Sequence, residues 1–351
     1  MSQTYDAGPV AALRRIAFLL ERVRAETYKV KAFRAAAGAI VPLDPGEVAA
    51  RAEAGTLREI PGIGSSTAAV ITDAAAGRVP AYLARLEEEG AGPLAEGGEV
   101  LRAALRGDLH SHSDWSDGGS PIEEMTFTAV ELGHEYLVLT DHSPRLKVAN
   151  GLSAQRLGKQ LEVVDAVNEH LGERFRLLKG IEVDILDDGG LDQTDEMLAQ
   201  LDLRVASVHS KLRMDAAPMT RRMLAAVANP FTNVLGHCTG RMVMGRQGAR
   251  SSPRPESEFD ANAVFAACAE HDVAVEINSR PERRDPPTRL LEKAIEAGCL
   301  FSIDSDAHAP GQLDFLDLGC VRAQALGIPP ERIVNTWPVD DLLAWAAPTS
   351  R

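Results

Sequence analysis

Asp108-Leu109-His110-Ser111-His112-Ser113-Asp114-Trp115-Ser116-Asp117-Gly118 closes a short β-prone run, and it concentrates two histidines and three aspartates. Side chains on a strand alternate between faces, so His110 and His112 point the same way and two imidazoles can grip one ion. Similar endings recur downstream: Thr140-Asp141-His142-Ser143, Gly180-Ile181-Glu182-Val183-Asp184, Ser207-Val208-His209-Ser210, Leu235-Gly236-His237, Glu276-Ile277-Asn278-Ser279 and Ser305-Asp306-Ala307-His308. Each closes a short, β-prone apolar run; with the first, the runs span 105–112, 136–141, 177–183, 203–208, 233–237, 273–277 and 301–303. The stretches between them, such as 155–170 and 219–228, carry apolar residues at helical spacing. Strands alternating with helices predict parallel βα units and an α/β fold. In a closed barrel of such units the C-terminal strand ends converge on one face. His, Asp or Glu from six of the seven runs would meet there.

A single histidine at a strand end is most often a hydrogen-bonded structural residue. Recurrence along the chain changes the reading. The remaining histidines, His134, His170 and His271, fall on helices or their edges and are given no function. The convergent donors are His110, His112, Asp117, His142, Glu182, His209, His237, Asp306 and His308, more than one four-coordinate ion needs. Two or three divalent ions are expected, with Glu182 a candidate bridge. Without cations, so many clustered imidazoles and carboxylates would be costly to bury. A nitrogen and oxygen donor set without thiolate suits Zn, Mn or Fe. Asp114 and Asp184 are expected to stay outside the ligand set, and Asp141, beside His142, to orient a ligand. Basic residues that could clamp a bound anion are Lys211, Arg213, Arg241, Arg246 and Arg280, with Arg241, four residues after His237, preferred. Several of these lie on or beside an insert at 241–258 rich in Gly, Arg, Ser and Pro, which reads as a substrate-facing loop.

The four cysteines are widely spaced, with no Cys-x-x-Cys, and read as free thiols in a reducing cytoplasm. No apolar run has the roughly 18 residues of a membrane span, and a membrane partner is not expected. The net charge of −14 is unevenly placed: residues 1–80 hold 10 basic and 8 acidic residues. The acidic remainder argues against a chain that coats nucleic acid everywhere, and part of its charge is expected to face cations.

Residues 8–88 read as helical. Leu13, Ile16, Ala17, Leu20 and Val23 form one helical stripe, and Asp44-Pro45-Gly46 marks a turn. The segment Ile60-Pro61-Gly62-Ile63-Gly64 enters a helix at Ser65, which gives helix, tight turn, helix. Glycines there let backbone amides approach a phosphate, and a helix N-terminus favours an anion. The candidate backbone contacts are Gly62, Gly64, Ser65, Lys29, Lys31 and Arg34. Domains are expected at 1–88 and 105–345, joined by an acidic, Gly-rich linker at 89–104.

The motifs from 105 onward resemble those of the PHP (polymerase and histidinol phosphatase) family, with all nine expected ligand positions filled. The resemblance implies a distorted (βα)7 barrel with a trinuclear centre. One ion would take His110, His112, Glu182 and Asp306. A second would share Glu182 and add His209 and His237, and a third would take Asp117, His142 and His308. Glu182 and Asp306, with Arg241 and Asp141, are the residues expected to serve catalysis. Aspartate at position 117 is similar to the polymerase-linked members. Clustered divalent ions would activate water near neutral pH and neutralise phosphate oxygens. The first 80 residues, with Tyr28-Lys29-Val30-Lys31-Ala32-Phe33-Arg34 and the glycine hairpin, resemble the small N-terminal helix-hairpin-helix domain of family-X DNA polymerases. Ser66 and Val70 stand where lyase-active relatives carry lysines, and only about 15 residues separate the two domains, too few for a polymerase palm.

The expected function is metal-dependent hydrolysis of phosphate esters at DNA 3′ ends or abasic sites, as a 3′-phosphatase, 3′-5′ exonuclease or abasic-site endonuclease in DNA repair. The alternatives are a small-molecule phosphomonoesterase of histidinol-phosphatase type, and a DNA-binding scaffold with a vestigial site.

Overall fold

The computed structural model describes residues 5–90, 92–244 and 253–348. The chain divides after Pro93 into two compact units.

The first unit is all-helical: α1 (Gly8–Arg22), α2 (Thr27–Ile40), α3 (Pro45–Ala54), α4 (Ser65–Ala75) and α5 (Ala81–Gly90). Leu13, Ile16, Ala17 and Leu20 of α1 recur three and four residues apart, so all four are buried on one stripe, whereas Val23, expected on the same stripe, lies just past the helix end and is exposed. They join a core with Phe33 and Ile40 of α2 and Ile71 of α4. Helix α3 starts where the sequence predicts: Asp44 accepts the Gly46 amide at 2.8 Å and Pro45 occupies the first turn. It stops at Gly55, whose φ of 71° is a left-handed cap.

The second unit opens with α6 (Glu99–Ala104) and continues β1 (Gly107–Ser111), α7 (Ile122–Glu131), β2 (Tyr136–Leu139), α8 (Ala154–Leu171), β3 (Arg176–Asp184), α9 (Asp195–Leu198), β4 (Leu203–Ser207) and α10 (Ala216–Val227). It ends with β5 (Val234–Leu235), α11 (Ala261–Glu270), β6 (Ala274–Asn278), α12 (Thr288–Glu296), β7 (Phe301–Asp304), α13 (Leu316–Ala325) and α14 (Val339–Ala346). The seven strands pair in sequence order and every pair is parallel. A parallel bridge between Ser111 and Ala307 brings β1 alongside the end of β7, so the sheet is a nearly closed barrel.

One face of β3 and of β6 is apolar low down and acidic at its top. Leu178 of β3 and Ala274 of β6 belong to one buried cluster with Val138 and Val205. Counting by twos along the same faces leads to Glu182 and Glu276. The opposite faces pack on the helices: Leu137 and Leu139 of β2 meet Ile122 and Met125 of α7 and Val164 of α8.

Two local expectations change. The stretch 89–104 is less of a linker than its composition predicts. Helix α5 runs to Gly90, and α6 is anchored by the buried Leu101, whose amide donates to the Gln324 side chain at 3.2 Å. Strand β5 is only two residues long. The Asn233 side chain turns away to the Arg204 amide and the Ala346 carbonyl, and the His237 amide donates to a side chain, Glu276.

Candidate metal centre

Glu182 sits at the top of β3, 1 % exposed, and five imidazoles surround it. Its two oxygens divide them. Oε1 lies 2.8 Å from His237 Nε2 and 3.1 Å from His209 Nε2. Oε2 lies 2.9 Å from His142 Nδ1, 3.3 Å from His110 Nε2 and 3.5 Å from His112 Nε2. His112 Nε2 is also 3.5 Å from Asp306 Oδ1, and Asp117 Oδ1 lies 3.4 Å from His142 Nε2 and 3.3 Å from His308 Nε2. All nine residues singled out from sequence therefore meet in one place. The strands explain why: each donor follows, or ends, a short buried run whose tip reaches the same barrel face. Asp306 has φ of 50°, a left-handed conformation that Asp tolerates better than most residues and that turns the chain sharply after β7.

The electrostatics of the cluster are those of a site built for cations. Burial alone would raise the Glu182 pKa, yet the imidazoles of His209, His142 and His110 outweigh it and hold the carboxylate well below its ordinary range. Burial likewise opposes ionisation of Asp306, and Arg280 and Arg283 reverse the effect. His112 is pushed down to about 3, first by burial and then by His308 and His142, so it is a neutral imidazole. Six buried imidazole nitrogens of the cluster have no hydrogen-bond partner: His110 Nε2, both nitrogens of His112, His142 Nδ1, His209 Nε2 and His237 Nδ1. Orphaned buried nitrogens are costly, and a divalent ion would relieve that cost at one nitrogen of each ring, since a neutral imidazole has a single free lone pair. Three groups have donor atoms mutually close enough to share an ion: His112, Asp117, His142 and His308; His110, His112 and Glu182; and His142, Glu182 and His209. The donors present thus fit divalent metal. The set holds no thiolate: the thiol of Cys238, beside His237, is pushed well up by burial, and then by Asp285.

The structure redistributes the supporting roles. Asp141 touches none of the imidazoles. It accepts from the Ser113 amide at 2.9 Å, the Ser113 hydroxyl at 2.5 Å, the Ser116 hydroxyl and Gln160 Nε2 at 2.6 Å, and so fixes the turn between His112 and Asp117. Arg241 does not point at the cluster either. Its guanidinium donates to the carbonyls of Arg283, at 3.1 Å, and Arg284, and faces Glu256 at 3.4 Å, bracing the turn after β6. That turn carries the arginines that do reach the cluster. Arg283 Nε is 3.0 Å from Asp306 Oδ2, and Arg280 Nη1 is 2.8 Å from both the Asp306 carbonyl and His308 Nδ1. Lys211 is tied to Asp187 at 2.5 Å, Arg213 is exposed, and Arg246 lies outside the described residues.

Arg283, Glu276 and Asn278 were not singled out as site residues from sequence, and Asp184 was expected to stand apart. Asp184 Oδ1 accepts from the His209 amide at 3.2 Å and is 2.8 Å from His209 Nδ1. Asn278 Nδ2 donates to Asp306 Oδ2 at 3.1 Å. The available signal for Glu276 and Asn278 was an acid and an amide two residues apart in an otherwise apolar run.

In the helical unit, Gly62 has φ of 89°, which only glycine adopts freely. Gly64 caps α4, its amide donating to Thr67 Oγ1 at 2.9 Å. The backbone at Gly64 is extended, and a Cβ there would meet nothing within 4 Å. Its own fold therefore does not require glycine at 64. Ser65 is exposed, as are Lys29 and Lys31, Lys29 being paired with Glu26 at 3.1 Å. Arg34, read as facing nucleic acid, is instead held 2.7 Å from the buried Glu21 carboxylate. Ser66 is exposed and Val70 is in the core, so neither offers an amine.

Residues 108–280 match the PHP domain model. The chain carries a PHP domain. Beside this PHP domain, residues 7–78 match a helix-hairpin-helix domain, as the sequence reading expects. It is 37% identical over 241 residues to the DNA polymerase/3′-5′ exonuclease PolX of Bacillus subtilis (strain 168), covering 69% of this chain and 41% of that protein. The chain thus spans about two fifths of that relative. It is 28% identical over 242 residues to the probable phosphatase YcdX of Escherichia coli (strain K12), covering 66% of this chain and 90% of that one. A crystal structure of histidinol phosphate phosphatase from Lactococcus lactis subsp. lactis Il1403, with zinc, L-histidinol and phosphate, aligns with a TM-score of 0.46 at 18% identity, covering 64% of this chain and 93% of that one. Among the described residues no helix is long and apolar enough to cross a membrane, and the four cysteines are free and buried.

Proposed function

We propose that this chain hydrolyses phosphate esters at DNA 3′ ends or abasic sites. The observation that carries the reading is a helix-hairpin-helix domain in the same chain as a nine-donor PHP centre. The two oxygens of Glu182 divide the ligands as two neighbouring ions would need: His110, His112 and Asp306 on one side, His209 and His237 on the other. Asp117, His142 and His308 make a third position nearer solvent. Zinc, manganese or iron held by these residues would supply an activated water and neutralise phosphate charge. The protein's own part is orientation. Glu182 and Asp306 hold the donor geometry, and Arg280 and Arg283 place two guanidiniums beside Asp306, where they can bind the oxygens of an entering phosphate. Arg241 acts through them by holding the 283–284 turn.

The helical unit supplies affinity for the DNA backbone. Gly62 shapes the hairpin, Gly64 leaves room for a phosphate, and the first amides of α4, at Ser65 and Ser66, have no intrahelical acceptor. Lys29 and Lys31 add charge without reading sequence. Arg34 has no part in this, because Glu21 holds it.

The test is a product assay on labelled DNA bearing 3′-hydroxyl, 3′-phosphate or abasic ends, beside a small chromogenic phosphate ester. Activity on DNA ends that weakens with salt is expected, since few-phosphate binding releases counterions. Strong turnover of the small ester with none on any DNA would replace this reading by a small-molecule phosphomonoesterase. Covalent trapping of an abasic sugar by borohydride would contradict the absence of a usable amine at Ser66 and Val70.

A further inference from the structure

Glu276 is fully buried at the top of β6, and no role in the centre has so far been given to it. Its Oε1 is 2.5 Å from His110 Nδ1, the nitrogen on the far side of that ring from Glu182. Its Oε2 accepts the His237 backbone amide and Asn278 Nδ2, the latter at 3.3 Å. The amides can only donate, so Oε2 can only accept. A carboxylate at Oε1 then accepts the hydrogen bond of a protonated His110 Nδ1, which leaves the lone pair on Nε2, 3.3 Å from Glu182 Oε2 and without a hydrogen-bond partner. We infer that Glu276 is a positioning residue which fixes His110 in the tautomer that can ligate an ion, and thereby sets the affinity of the ion position on the Oε2 side of Glu182. The inference rests on the metal-centre reading above and goes beyond it, because Glu276 itself is not a donor to the ion.

The centre repeats the device once. Asp184 stands 2.8 Å behind His209 Nδ1, and His209 Nε2 is also unpartnered toward Glu182 Oε1. Each side of the bridging carboxylate therefore has one imidazole backed by a buried acid. His112 has no such support, since both its nitrogens are without partners. Carboxylates behind metal-bound histidines fix the ring and raise its basicity, and their loss typically costs about 10–100-fold in metal affinity.

Glu276→Gln tests this with almost no change of shape. All three partners of the Glu276 carboxylate donate, so the amide's NH2 must oppose one of them. If its oxygen keeps His237 and Asn278, the NH2 donates to His110 Nδ1. His110 then carries its proton on Nε2 and cannot ligate. Zinc is titrated into chelator-stripped wild type, Glu276→Gln and Asp184→Asn against a chromophoric chelator, with thermal unfolding of each metal-free protein alongside. Glu276→Gln should weaken one zinc-binding step by about 10–100-fold with an unchanged midpoint, and Asp184→Asn should weaken a different step. Zinc binding in Glu276→Gln indistinguishable from wild type would overturn the inference while leaving the metal centre standing. Equal weakening of every step with a lowered midpoint would also overturn it, as a loss of fold. Wild type that takes up no zinc would remove the metal-centre reading and this inference together. Should Glu276→Gln not fold, 15N spectra of the imidazoles in zinc-loaded wild type decide: a protonated Nδ1 and an unprotonated Nε2 at His110 are expected, and the reverse refutes it.

Discussion

Replacing Glu182 by Gln removes a charge and one acceptor while keeping the shape of the side chain. Five imidazoles lie within 2.8–3.5 Å of its two oxygens, so no other single change reaches as much of the cluster. Of the three groups able to share an ion, two include Glu182, and only His112, Asp117, His142 and His308 remain complete without it. The variant should therefore keep at most one tightly held ion. If the lost positions supply on the order of 4 kcal/mol of charge stabilisation, kcat falls roughly 1000-fold, at about 1.4 kcal/mol per factor of ten. Metal content by mass spectrometry after gentle purification and kcat on a small chromogenic ester are the two readouts. Asp114→Asn is the control, because Asp114 is exposed and holds none of the imidazoles. Asp184→Asn should fall between, about 10–100-fold down, through its hold on His209. A Glu182→Gln protein that retains every ion and more than about a tenth of the wild-type rate would refute the bridging role that its geometry implies.

The remaining predictions touch other parts of the molecule. Arg283→Gln should lower kcat/KM about 10–100-fold, the worth of one charge-assisted bond of roughly 1.5–3 kcal/mol, with metal content unchanged; an unaltered KM and kcat would remove Arg283 from phosphate binding. Gly64→Asn puts a good N-cap where a Cβ meets nothing, so the folding midpoint should hold while DNA affinity drops roughly tenfold, and activity on the small ester should stay the same. His134 is buried with both nitrogens unpartnered, and burial, then Arg102, pushes it down to about 3. The unfolded chain protonates that ring near its ordinary value of 6.5, so the folded state loses stability as pH falls from about 6.5 toward 3. Between pH 7.5 and 5 this costs about 2 kcal/mol. His134→Leu should lessen the acid loss in urea unfolding by about that amount, and an identical pH slope in both proteins would count against a neutral His134.

The barrel and its nine donors were legible because each functional side chain stands at the end of a buried run. Where a strand stops, period-two alternation and convergence at one barrel face do the rest. What stayed hidden depended on contacts between distant segments. Glu276 reads as one polar residue in an apolar strand until His110, 166 positions away, is seen against it. Arg241 was favoured because it follows His237 closely. The chain turns between them, though, and the guanidinium facing Asp306 comes from Arg283. Arg34 looked like part of a basic face because helical spacing does not reveal that Glu21 on α1 meets it. Composition also misled at 89–104: Gly and Glu made the segment look like spacer, whereas six of its residues form α6.

The join between Ser111 and Ala307 has a consequence for how this molecule comes into being. The His112 amide bonds the Ala307 carbonyl at 2.8 Å, so the first and last strands of the barrel are neighbours although nearly 200 positions of chain lie between them. On the ribosome the helical unit emerges early, and its contacts are local enough to form while the rest is still being made. The hydrolytic centre has no such head start. His110 and His112 wait for Asp306 and His308, the last donors to be synthesised, before the ring of ligands exists. A chain stalled or cleaved anywhere before β7 can thus fold its helical unit while its metal centre stays incomplete, which places the chemistry of that centre under the control of complete synthesis.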